Sequence, residues 1–66
     1  MNIDLFHTNV EELNAKLAGT VWSVNGVELT VNSVYVDGWT GGYCVNLADG
    51  SWGRVATLLE RGKLVN

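Results

Sequence analysis

The side chains able to act on a substrate are few in this chain, and they are scattered. His7 is its only imidazole, the one side chain whose unperturbed pKa suits proton transfer near neutrality. It stands just before a helix-start signal, and spacing places no nucleophile or orienting group beside it. Closing off the helix start is therefore its simpler role. Cys44, the single cysteine, lies mid-strand next to Val45, where a thiol packs as a small hydrophobe. It has no partner for an intrachain disulfide, and one Cys with one His does not complete a tetrahedral zinc site. Asp37 and Asp49 each precede a glycine, the arrangement of Asx-type turns, which accounts for them better than a catalytic carboxylate pair does. No phosphate-binding loop, dinucleotide fingerprint or metal-binding helix motif is present. The expectation is a non-enzymatic chain without metal or cofactor.

Binding chemistry is better represented. Trp22 alternates with Val24 on what reads as the buried side of a hairpin, so it belongs to the core. Trp39 and Trp52 fall instead beside glycine-rich turns, where the hydrophobic pattern does not explain them. The segments Thr40-Gly41-Gly42-Tyr43 and Gly50-Ser51-Trp52-Gly53-Arg54 bring flat rings for stacking, free amides for oxyanions and one guanidinium for phosphate. The candidate site is thus Trp39, Thr40, Tyr43, Trp52 and Arg54. Trp, Tyr and Arg are equally the usual hot-spot residues of protein interfaces. Three readings stay open: a protein interface, a pocket for a planar anion, or two tryptophans that cap the core from its ends.

These residues need elements to hold them. Thr8-Asn9-Val10-Glu11 fits a capping box, and Asn9 to Glu12 fits one a residue later. Val10, Leu13 and Leu17 form one apolar stripe, Glu12 and Lys16 are a favourable i,i+4 pair, and Gly19 supplies a left-handed stop, predicting a helix over 9–18. Asn25-Gly26 between two alternating runs is the strongest short hairpin signal. It pairs Val24 with Val27 and Trp22 with Leu29, which puts both apolar sets on one face. Apolar residues then change phase between Val31 and Val34, so a bulge or break is expected near 32–33. Tyr43 to Leu47 reads as a further strand. Asp49-Gly50 reads as a second turn of the I′ kind, returning Ser51-Trp52 as a short fourth strand. Val55, Leu58 and Leu59 mark a second helix with Gly62 as its C′ residue. Lys63-Leu64-Val65 either docks as an edge strand or simply packs. The class is α+β: a short N-terminal helix, an antiparallel sheet of three to four strands built on the Asn25-Gly26 hairpin, and a short C-terminal helix.

The totals narrow the setting. The 66 residues form one small domain, 1–66, that buries only ~60% of its unfolded surface. Lacking a disulfide or metal, such a chain gains most from a partner subunit, and a two-fold homodimer is the favoured oligomer. One unpaired cysteine suits a reducing compartment. The opening run Met1-Asn2-Ile3-Asp4-Leu5-Phe6 has no basic n-region or long apolar stretch, so neither a signal peptide nor a membrane span is expected, and the reading is cytoplasmic. The net charge of −3 is uneven, with six acids against Lys16 in residues 1–50, and Arg54, Arg61 and Lys63 against Glu60 in the remainder. That thin cationic end and acidic remainder disfavour nucleic acid.

The length, the acidic N-terminal part from Glu11-Glu12 onward, and the aromatic glycine loop Gly38-Trp39-Thr40-Gly41-Gly42-Tyr43 resemble the small phage-encoded anti-defence proteins in overall character. The resemblance implies a non-enzymatic inhibitor that binds and blocks a host defence protein in the host cytoplasm. A second mode in that group is an oligomeric sponge that sequesters a small signalling nucleotide. A small nucleic-acid-binding accessory protein using Arg54, Arg61 and Lys63 is the third reading.

Overall fold

The computed structural model describes residues 3–66; Met1 and Asn2, the first two residues of the run read as lacking leader character, lie outside them. In chain order the elements are α1 (Val10–Leu17), β1 (Val21–Val24), β2 (Val27–Val36), β3 (Tyr43–Leu47), β4 (Trp52–Arg54), α2 (Val55–Arg61) and β5 (Gly62–Leu64). The strands form one antiparallel sheet in the order β4-β3-β2-β1-β5. The α+β class expected from the pattern is the observed one, with Lys63 and Leu64 docked as a fifth, edge strand. No helix among the described residues is long and apolar enough to cross a membrane.

Local chemistry accounts for most boundaries. Of the two possible caps of α1, Asn9 is used: its side chain accepts from the Glu12 amide at 2.9 Å, while the Thr8 hydroxyl donates to the Glu12 carboxylate. Asn25 and Gly26 have φ of 52° and 80°, the left-handed pair that a I′ turn requires, and the pairs Val24–Val27 and Trp22–Leu29 follow. The β3–β4 connection departs from expectation. Among its residues only Gly50 has positive φ, and the Leu47 amide bonds to the Ser51 carbonyl across Ala48, Asp49 and Gly50. It is a three-residue loop closed by a left-handed glycine. The Asp49 carboxylate steadies it by accepting from the Ser51 amide and hydroxyl.

β2 is one continuous strand with a defect in it. Val31 pairs with Leu47 but Ser33 pairs with Asn46, which leaves Asn32 as the extra residue. The bulge lets Val31 and Val34 face the same side although they differ in parity. It also lies near where the strand changes partners: residues 27–30 pair with β1, and β3 pairs from Val31 onward.

Both helices cover the same face. Leu13 and Leu17 of α1, Val55 and Leu58 of α2, and Trp22, Val31, Val34, Val45 and Leu47 of the sheet make one core. The buried Trp22 indole donates to the Thr20 hydroxyl at 2.9 Å, and that hydroxyl donates to the Leu17 carbonyl. Among the described residues, no helix lies over the opposite face.

Candidate functional site

The β2–β3 loop, residues 37–42, is built around one carboxylate. Asp37 accepts from the Trp39 amide at 3.1 Å and from the Thr40 hydroxyl at 2.9 Å. The Asp37 carbonyl accepts from the Gly41 amide, and the Asp37 amide donates to the Gly42 carbonyl. Gly41 has φ of 71°, which lets the chain reverse into β3. The Trp39 amide, then the Thr40 hydroxyl, and more weakly the Arg54 charge hold the Asp37 carboxyl below its ordinary pKa. The loop is therefore tied at both ends, yet it offers the Trp39 ring wholly to solvent, at 96% exposure.

Arg54 joins the loop to β4. Its Nη1 is 3.4 Å from the Thr40 hydroxyl oxygen and 3.8 Å from the Asp37 carboxylate, and its guanidinium lies 5.9 Å from the centre of the Trp52 ring. A Cβ on Gly53 would meet Val45 on the helix side, so Trp52 and Arg54, one residue to either side, face the uncovered side. Trp52 remains 59% exposed. Trp52, Arg54, Thr40 and the backbone of Trp39 thus form one continuous surface, organised by Asp37.

Tyr43 is not part of it. The residue alternates with Val45 and Leu47 on the helix side, and its hydroxyl donates to the Thr8 carbonyl at 3.0 Å. It fastens the N-terminal segment to the sheet. Strand alternation in the sequence already sets Tyr43 with Val45 and Leu47, although its place in the chain puts it next to the glycine loop. Asp37 is the opposite case. Its turn role was legible, but its place under Arg54 depends on β3–β4 pairing.

The remaining polar candidates have structural partners. Cys44 lies on the uncovered face, yet it is only 1% exposed, because its cross-strand neighbours are the long side chains of Tyr35 and Arg54. Burial, with the adjacent thiol contributing, pushes the Tyr35 phenol up. His7 does have a carboxylate partner: its Nδ1 contacts Asp4, three residues earlier, and both are exposed. That bond, followed by the Phe6 amide, lowers the Asp4 pKa. The pair forms a turn ahead of α1. Among the described residues, no three His, Cys, Asp or Glu side chains gather where a metal ion could be held.

Comparison of the chain with protein-family models, with curated protein sequences and with solved structures returned no match. The functional reading rests on the residues themselves.

Proposed function

We propose that this protein acts without catalysis, by stoichiometric binding of another protein through Trp39, Trp52 and Arg54. The observation that carries this reading is the Trp39 indole at 96% exposure on a loop already ordered by Asp37. An anchor presented on a fixed loop loses little freedom on binding, so its burial counts toward affinity. The resemblance to phage anti-defence proteins makes a bacterial defence protein, met in the host cytoplasm, the proposed target. Self-association into a two-fold dimer accompanies this reading. Nucleotide sequestration is the second reading, favoured by Arg54 at 5.9 Å from the Trp52 ring. Of the two cavities near the β1–β2 hairpin, the smaller has Arg54 in its walls and neither has a tryptophan.

The test is expression in bacteria that carry a phage-defence system, scored by plaque formation. The wild-type chain restores plaques, and the Trp39→Ala, Trp52→Ala double variant loses this while keeping its melting temperature within a few degrees. Full rescue by the double variant refutes the assignment. Quenching of tryptophan fluorescence by a nucleotide panel, removed by Arg54→Ala, would transfer the site to the second reading.

A further inference from the structure

The sheet has a gap on one side of β2. In the two-residue hairpin Val24 and Val27 are the closing pair, so the backbone groups of Glu28 and Thr30 point away from β1. The Ala48 amide confirms this by donating to the Thr30 carbonyl at 2.9 Å. β3 pairs with β2 only from Val31 onward. The Glu28 amide and carbonyl and the Thr30 amide therefore have no strand opposite them among the described residues. They line a notch of about 230 Å³ between the hairpin and the β3–β4 turn, with the Glu28 and Asp49 residues among its walls. Behind it, on the helix side, is an apolar cavity of about 70 Å³ whose walls include Val24, Leu29, Leu47, Arg54, Thr57 and Leu58. Leu29 and Leu47 border both spaces.

We propose that this notch receives an extended peptide in which a basic residue stands next to a small apolar one. Free amide and carbonyl groups on a strand edge bond to an added strand. Successive side chains of that strand point to opposite faces of the sheet. One enters the cavity beside Leu29 and Leu47, where a small apolar group fits. The next emerges on the uncovered face beside Glu28, near Asp49, where a cation is favoured. The net charge of −5 carried by residues 1–50 attracts the same ligand from a distance. The site is separate from the tryptophan surface and stands or falls independently of it.

The probe is a blocked hexapeptide alternating Lys and Val, titrated into the full-length chain and followed by amide NMR. Saturable shifts are expected at Glu28, Thr30 and Ala48, with hydrogen exchange at the Glu28 and Thr30 amides slowed at least tenfold. Glu28→Lys, at an exposed position, weakens binding at least fivefold. Thr57→Phe, a larger side chain at an exposed position of α2 that lines the cavity, weakens it with the native spectrum elsewhere preserved. The proposal is overturned if these amides do not respond at millimolar peptide, if only the Trp39 and Trp52 signals move, or if a Glu-Val hexapeptide binds equally well. Concentration-dependent protection of the same amides without peptide also overturns it, by making a second copy of the chain the occupant.

Discussion

Gly62 has its place because of its neighbours. Its φ of −91° is open to any residue, so the left-handed C′ role expected from sequence is not its reason. An added Cβ would lie 2.5 Å from the Leu58 carbonyl oxygen and 3.2 Å from Trp22 and Val24. The chain leaves α2 and enters β5 at this residue, so close that only a hydrogen fits between. Gly62→Ala is expected to cost about 1–3 kcal/mol through overpacking. That lowers the melting temperature by at least ~4 °C in a domain of this size, whereas Gly53→Ala, whose Cβ would make an ordinary 3.9 Å contact, leaves it nearly unchanged. Calorimetry of the two variants separates a steric requirement from a general intolerance of alanine. Asp37 yields a pH prediction at the same scale. Its folded pKa is below the unfolded value, so its stabilisation is present above the ordinary carboxylate range near 4 and is lost as pH falls through the lowered folded value. The wild-type chain should melt higher than Asp37→Asn at pH 7, and the gap should shrink as the pH falls below the ordinary carboxylate range. A gap that stays constant on acidification would show that the charge is not what matters.

Among the elements, legibility followed the range of the interactions. The β1–β2 register could be read because a two-residue turn with a unique backbone requirement determines it. A defect near 32–33 could be read because alternation cannot change phase without a bulge or a break, while the pairing with β3 is what makes it a bulge at Asn32 in one continuous strand. β5 could not be assigned between strand and loose packing, since Lys63 and its partner Ser23 are joined by topology and no local pattern marks the pairing. The same holds for the hydrogen bond that seats α1. Asn14 reaches the Val34 amide at 2.9 Å, beyond the bulge, where β1 no longer covers that edge of β2. Nothing near Asn14 in sequence announces this contact. Removing the acceptor with Asn14→Leu leaves a half-buried amide unpaired and should cost about 1–3 kcal/mol. Asn14→Asp keeps the acceptor and should cost less. Hydrogen exchange gives the sharper readout: the Val34 amide should lose protection in Asn14→Leu well before the Val45 amide on the neighbouring strand. Equal loss at both would mean that the helix is seated by its leucines alone.

At the scale of the whole molecule, the two helices and five strands of the described residues close one core on one side of the sheet. The radius of gyration of 10.8 Å equals that of a compact monomer of this length, about 10.8 Å, so the fold needs no partner to be dense. It does leave the opposite face uncovered, with Trp52 and Arg54 among the residues on it. The site was half legible for the same reason: residue types marked Trp39, Trp52 and Arg54, and strand alternation alone sets Tyr43 on the face of Val45 and Leu47, while only sheet topology places Arg54 over the Asp37 loop. The proposed dimer is tested by mass action, because association that accompanies folding makes stability depend on protein concentration. Each tenfold rise adds about 1.4 kcal/mol per dimer. With an unfolding entropy of ~2.1 cal/mol/K per residue over two chains, that raises the melting temperature by about 5 °C per decade. Melting curves from 10 μM to 1 mM should therefore rise by about 10 °C, with sedimentation equilibrium giving twice the chain mass at the upper end. A melting temperature independent of concentration, with the mass of a single chain throughout, would show that this core sustains itself without a second copy.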